Sequence, residues 1–262
     1  MNILEKIIQH KRKEVSDAKA RTTVRDLESM PLFSRDPYRL KDFVFDPARN
    51  GIISEFKRAS PSKGMINKHS KVEEIVTAYA NNKVSAISVL TDSDFFGGSL
   101  DDLLAARKQV NVPLLRKEFI IDEFQIIEAK AYGSDIILLI ASCLTPAEII
   151  QLSSSAKNLG LNVLLEVHNE KELADNLIMT VDAIGVNNRN LNDFSVSLDH
   201  SLNLISQIPD QYIKVSESGI SEVDTIKKLK TAGFNAFLIG ENFMKQESPQ
   251  QAIANFVSEL AE

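Results

Sequence analysis

The chain has no tryptophan and a single cysteine, and aromatic residues make up 6% of its 262 positions. With one thiol, Cys143 cannot close an intrachain disulfide. Just after the apolar run at 136–141 it reads as a small buried hydrophobe. The four histidines, His10, His69, His168 and His200, lack the close His or Cys pairs of a zinc site, so no metal is expected. Long apolar runs are also missing. The longest, 136–141, falls far short of the roughly 20 residues that span a bilayer. The opening Met-Asn-Ile-Leu-Glu-Lys breaks its apolar residues with charge early, unlike a signal peptide, and cytoplasm is the expected location. Positive charge is in deficit, with a net charge of −6 and a pI of about 5.4. Surfaces that bind duplexes are basic, so neither nucleic acid nor a membrane is an expected partner. The one basic cluster, Lys11-Arg12-Lys13, reads as a solvated helix face. No Walker loop, dinucleotide fingerprint or Ser–His nucleophile pair is present, so chemistry without a cofactor is expected.

What is there is a large core and a rhythm. Hydrophobic residues make up 44% of the chain and charged residues 25%, the balance of a globular protein. Its length suits a single α/β barrel. Residues 2–20 read as an amphipathic helix, with Ile3, Leu4, Ile7 and Ile8 on one stripe and Asn2 with Glu5 as a capping box. Residues 21–50, broken by Pro31, Pro37 and Pro47, read as a short helix and irregular connections. From Ile52 the chain alternates. Strands are expected at 52–56, 84–90, 113–117, 135–140, 162–166, 183–187, 213–216 and 236–240. Helix starts are expected at Ser70, Ser99, Asp122, Thr145-Pro146, Ser221 and Ser248-Pro249, where side-chain oxygens can satisfy the first amides. Gly133, Gly160 and Gly233 sit where helices stop. Eight evenly spaced strands, each followed by a helix, predict a (β/α)8 TIM barrel with an N-terminal helical extension. We read 1–262 as one domain, with the extension over 1–50 and the barrel over 51–262. The rival, a doubly wound open sheet, would want a glycine-rich phosphate turn after the first strand, and none follows 52–56.

The strand ends are polar, and in such barrels those ends face the active site. The first gives Glu55 and Lys57 on one face, followed by Ser60; the alternative is a structural ion pair. The third gives Lys117, the fifth Glu166, the sixth Asn187 and then Arg189. After the seventh come Glu217, Ser218 and Gly219, and after the eighth Gly240 and Glu241. The last two loops suit a phosphate held by backbone amides, although plain tight corners would look alike. Glu241 is expected to offer its amide and turn its carboxylate away. Phe96 and Phe119 would line a flat apolar ligand, while Phe95 reads equally as packing beneath its loop. Lys57, Lys117 and Arg189 suit a substrate with two or more negative groups. A lysine kept dry among other cations gives up its proton more easily and can serve as a general acid, with a buried Glu as base.

Six segments carry a family resemblance: Ser-Glu-Phe-Lys-Arg-Ala-Ser-Pro-Ser-Lys-Gly, Phe-Phe-Gly-Gly-Ser, Leu-Leu-Arg-Lys-Glu-Phe-Ile, Leu-Leu-Glu-Val, Ile-Gly-Val-Asn-Asn-Arg-Asn-Leu and Ser-Glu-Ser-Gly-Ile. Together, and in this order, they resemble the indole-3-glycerol phosphate synthase family over nearly the whole chain. The resemblance implies ring closure, decarboxylation and dehydration of a carboxyphenylamino-deoxyribulose phosphate in tryptophan biosynthesis, with no cofactor. It implies a general acid at Lys117 and a catalytic carboxylate at Glu166 for the dehydration. Glu55 and Lys57 would be an orienting pair, Lys57 near the substrate carboxylate and a second proton donor. Asn187 and Arg189 would hold the carboxylate or hydroxyls. Ser60, Ser218, Gly219, Gly240 and Glu241 fall where the family binds phosphate and hydroxyls. Ala59 stands where some members carry a lysine, which bears on phosphate affinity. Some members are fused to a neighbouring pathway enzyme, but with a single barrel ending at Glu262 this chain is expected to be monofunctional, and a monomer or weak homodimer. Another phosphosugar barrel enzyme, such as an isomerase, and a non-enzymatic phosphate-ligand binder remain the alternatives at this point.

Overall fold

Eight parallel strands close on themselves in the computed structural model, which describes residues 3–190 and 195–262. They run Ile52–Phe56, Ala86–Leu90, Leu114–Lys117, Ile136–Ile140, Asn162–Val167, Ala183–Asn187, Ile213–Glu217 and Ala236–Ile239. Each pairs in parallel with the next, and the eighth returns to the first through Ile52↔Phe237, Ile53↔Leu238 and Ser54↔Ile239. All eight strands match their expected places to within two residues. Val84 and Ser85 stay outside the second strand, Pro113 stays outside the third, and Glu217 is drawn into the seventh.

The alternation of side chains sorts the core into two shells. Ile53, Leu115, Leu138, Leu164, Val215 and Leu238 point inward and fill the barrel. Ile52, Phe56, Val89, Leu139, Val163 and Phe237 point outward against the helices. Helix starts follow the capping logic in part. Ser99, Asp122, Thr145 and Ser248 accept backbone amides, and Thr145 completes a capping box with Glu148. Ser70 and Ser221 do not cap: the helices begin later, at Val72 and Val223, with Lys71 and Glu222 as uncapped leading residues. Gly133, Gly160 and Gly233 are left-handed, as expected.

The leading segment touches both ends of the barrel. The helix Leu40–Val44 sends Leu40 and Val44 into the inner core from below. The helix Ile3–Arg21 lies across the other rim, where Ile3, Leu4 and Ile7 form part of a cavity wall. Asn2, half of the expected capping box, lies outside the described residues. Lys11 corrects its reading as a solvated residue: it is buried, while Arg12 and Lys13 are exposed. Ile7, Lys11 and Val15 share the inward stripe, and Lys11 Nζ meets Asp92 at 2.8 Å, Glu118 at 3.0 Å and Glu14. Burial would lower its pKa, but Glu118 and Asp92 outweigh burial and raise it.

Candidate active site

The uppermost inward layer of the barrel is ionic where the layers beneath it are aliphatic. Lys117 stands at its centre. Its ammonium donates to Glu166 Oε2 at 2.9 Å and to Glu217 Oε2 at 2.8 Å. The three come from the third, fifth and seventh strands, whose inward residues converge at one level. Glu166 Oε1 accepts from Asn187 Nδ2 at 2.9 Å, and Asn187 Oδ1 in turn accepts the Arg189 amide at 2.9 Å. Glu55 faces Lys57 at 3.0 Å and accepts from Ser88 Oγ at 3.3 Å.

These contacts correct one expectation. Lys117 is surrounded by carboxylates, not cations. Burial works to lower its pKa, but Glu166, Glu217 and Glu55 outweigh it and hold the ammonium protonated. Two carboxylates then share one cation. Burial pushes both upward. Lys117 and His168, with the Asn187 hydrogen bond, pull Glu166 below the usual carboxylate range. Burial together with the charges of Glu166 and Glu55 leaves Glu217 raised. Its Oε1 is buried with no hydrogen-bond partner among the described residues.

Two glycines seat these carboxylates. A Cβ on Gly240 would stand 2.7 Å from Glu55 Oε1, and one on Gly185 only 2.1 Å from Glu217 Oε1. Gly240 therefore makes room for Glu55, beyond any part its loop plays toward a ligand. Gly185 was not among the expected site residues, although a glycine inside a strand signals a close approach. Gly185→Ala is expected to fold but to displace the Glu217 carboxylate from Lys117. A shift of that size costs about 10²-fold in kcat. Steady-state kinetics beside a far-ultraviolet circular dichroism melt would check it.

Two adjoining cavities open above this layer. The inner one, about 160 Å³, is walled by Leu4, Ile7, Phe96, Phe119 and Leu138 over Lys117 and Glu166. The Phe96 and Phe119 rings sit with centroids 6.1 Å apart, tilted by 41°. Phe95 points elsewhere, edge-on to His10 at 5.8 Å. The outer cavity, about 470 Å³, is polar and is bordered by Ser218, Gly219, Gly240, Asn242, Lys63 and Lys245. Glu55, Lys57, Arg189, Ser218 and Glu241 border both. Ser60, on a small hairpin of Ala59–Ser60 and Gly64–Met65, brings a buried hydroxyl with no partner among the described residues to the inner wall. Ser218 has φ 68° and Gly219 φ 77°. Left-handed backbone at a residue with a side chain costs about 1–3 kcal/mol and gathers at ligand-binding turns.

All fourteen expected site residues border these cavities, and Gly240 in addition makes room for the Glu55 carboxylate. Glu241 departs from expectation in direction: its carboxylate reaches across the mouth to Arg189 Nη2 at 3.6 Å. Lys63 and Lys245 were missed. They supply cations on the side where Ala59 supplies none. No single-residue pattern marks Lys245, because its place at the rim depends on the turn from Gly240 into the short helix Glu241–Met244. No helix among the described residues is long and apolar enough to cross a membrane.

The indole-3-glycerol phosphate synthase family model matches residues 4–256. An indole-3-glycerol phosphate synthase of Bacteroides thetaiotaomicron is 44% identical over 259 residues, covering 99% of both chains. One from Campylobacter jejuni is 40% identical over 255 residues, covering 96% of this chain and 98% of that one. Among solved structures, tryptophan synthase subunit alpha from Legionella pneumophila superposes with a TM-score of 0.63 at 10% identity, over 84% of this chain and 96% of the other. The 3-hexulose-6-phosphate synthase from Salmonella typhimurium gives 0.64 at 11% identity, over 81% and 99%. At such low identity these two speak for the barrel alone. The family model and these relatives cover nearly the whole chain: it belongs to the indole-3-glycerol phosphate synthase family.

Proposed function

We propose that this chain closes the indole ring of a carboxyphenylamino-deoxyribulose phosphate, releasing carbon dioxide and water to give indole-3-glycerol phosphate, with Lys117 as the first proton donor. The observation that carries the reading is the ammonium of Lys117, fixed between Glu166 and Glu217 beneath an aromatic wall on one side and a polar cavity on the other. The aryl ring lies against Phe96 and Phe119. The phosphate takes the outer cavity, with Ser218, Gly219, Gly240 and the Glu241 amide around it. Lys57 and Arg189 hold the substrate carboxylate, Ser60 a hydroxyl.

The ring carbon bearing the carboxylate attacks the ribulose carbonyl, and the carbonyl oxygen gains the basicity of an alkoxide. An ammonium whose pKa is raised is fully charged at working pH and meets that oxygen as an acid. Loss of carbon dioxide then restores the aromatic ring. The new hydroxyl leaves as water with a proton from Lys57, while Glu166 takes the neighbouring proton. Asn187 keeps Glu166 turned toward the substrate. Glu217 holds Lys117 in place, and Glu55 does the same for Lys57. No step calls for a cofactor, metal or nucleic acid. We assign the whole of 1–262 to one functional unit, working in the cytoplasm as a monomer or weak homodimer.

Purified protein incubated with the substrate should give indole absorbance and fluorescence. No product at micromolar enzyme would rule the reading out. On the phosphate side, Lys245→Ala is expected to raise KM about tenfold with kcat within twofold. That is the low end of a charge-assisted contact of roughly 1.5–3 kcal/mol. Steady-state kinetics on the phosphorylated and dephosphorylated substrate would check it, since only the former should respond.

A further inference from the structure

Two residues past Glu166 stands a histidine that the reaction just described leaves unused. His168 follows the fifth strand, and its side chain is only 13% exposed. Its Nε2 lies 3.5 Å from Glu166 Oε1, and its Nδ1 lies 3.4 Å from Glu172 Oε2. Neither nitrogen makes a hydrogen bond among the described residues. Buried polar atoms of this kind are uncommon and call for a reason. Glu172 is locked on the far side of the ring. Its Oε2 accepts the His168 amide at 2.8 Å, and its Oε1 accepts from Asn169 Nδ2 at 2.7 Å. It belongs to the short surface helix Glu170–Asp175 and keeps 20% of its side chain in solvent. The imidazole therefore stands between the buried carboxylate of the site and a carboxylate that meets water.

We propose that His168 is a relay that clears the proton Glu166 acquires during water loss, passing it through Glu172 to solvent. The inference rests on the role given to Glu166 under the proposed function. In the step, the O–H bond of the Glu166 carboxyl breaks and an Nε2–H bond forms. The Nδ1–H bond breaks as that proton goes to Glu172, which exchanges it with water. No electrons change hands.

The surrounding charges suit this order of events. Burial lowers the His168 pKa, but Glu172, Glu166 and Glu217 outweigh it and leave it raised. Cys143, also near both carboxylates, adds no charge: burial pushes its thiol up to about 12. Lys117 is screened from the ring by Glu166, which lies on both. When Glu166 takes a proton, one of the charges holding the imidazolium disappears. The neutral ring with its proton on Nδ1, toward Glu172, then accepts at Nε2 and passes its Nδ1 proton on. The gaps of 3.4–3.5 Å are a few tenths longer than a hydrogen bond, a slack that free enzymes often show before substrate binds.

The test uses His168→Asn, whose amide can still face Glu172 but cannot carry a proton through. We expect kcat to fall about 10²-fold, the low end of what a positioned acid–base group contributes, with KM within twofold. The kcat–pH profile between pH 6 and 9 should change shape, and millimolar imidazole should restore several-fold of the loss. Glu172→Gln should lose less, and the double variant should be no worse than His168→Asn alone. Unaltered kcat and pH profile in His168→Asn, or a loss that comes with a raised KM and no imidazole rescue, overturns the relay. Glu166→Gln, measured alongside, separates two failures. If it is inactive while His168→Asn is fully active, the relay alone is wrong. If both are fully active, the role of Glu166 falls with it.

Discussion

Lys117→Met is expected to lose about 10³- to 10⁴-fold in kcat while KM moves only a few-fold. Methionine keeps most of the stem, so the cavity wall survives and substrate still binds. What goes is the proton and the positive charge, and positioned proton donors contribute roughly 10²–10⁴-fold. The upper part of that range applies because Lys117 also offsets two buried carboxylates. The same change has a second signature. Without the ammonium, Glu166 and Glu217 are left as like charges in a dry layer, and the pKa of the pair rises above the unfolded value of about 4.3. A carboxyl whose folded pKa is raised favours folding below the unfolded pKa, and that contribution is lost as pH climbs through the folded one. The variant should therefore approach wild-type stability near pH 5 and fall behind near pH 8. A broken buried pair costs about 3–5 kcal/mol, or roughly 10 °C in Tm for a chain of this size. Thermal melts at both pH values, run beside kinetics, would read both effects. A near-normal kcat would move the acid elsewhere. An equal Tm deficit at both pH values would mean that the carboxylates are not the source.

The strands of the barrel were legible because their signal is local. A run such as Ile136–Ile140 needs only its own residues to announce a buried strand, and Thr145-Pro146 with Glu148 announces the next helix in four letters. Ser70 and Ser221 had the same local spacing and failed, since the helices begin one residue later, at Val72 and Val223. The site residues were legible as strand ends, and their convergence followed from the closure of the ring. Their electrostatics were not. Whether Lys117 sits among cations or carboxylates depends on which strands meet across the barrel, and the expected sign of its pKa shift was therefore wrong. Lys11 failed for a related reason. Its sequence neighbours Arg12 and Lys13 are exposed, while its counter-charges, Asp92 and Glu118, lie some 80 and 100 residues away. Gly185 was readable only in hindsight from its place on an inward face between Ala183 and Asn187. The reason for it, Glu217, arrives from the neighbouring strand.

Glu166→Gln should separate the two halves of the reaction. The carboxylate is assigned to the loss of water, after the ring has closed and carbon dioxide has left. A glutamine cannot take the proton, so the dehydration slows by about 10²–10⁴-fold. The fold should hold, but the local pattern cannot be kept whole. Both hydrogen-bond partners of the Glu166 oxygens are donors, Lys117 Nζ on one side and Asn187 Nδ2 on the other. The glutamine oxygen can satisfy one of them, and Lys117, being charged, takes it. The glutamine NH2 then confronts Asn187, which must turn its own oxygen inward and release the Arg189 amide it now binds. Some weakening of substrate binding through Arg189 follows, a few-fold in KM, which is small beside the loss in kcat. The distinguishing measurement is a single turnover with carbon dioxide and indole followed separately. Carbon dioxide should appear at close to the normal rate with little indole fluorescence, as the hydroxylated precursor accumulates. If both products slow together, Glu166 acts at ring closure and the proton taken during water loss goes to another group, for which Glu217, raised by its buried surroundings and already on Lys117, is the candidate.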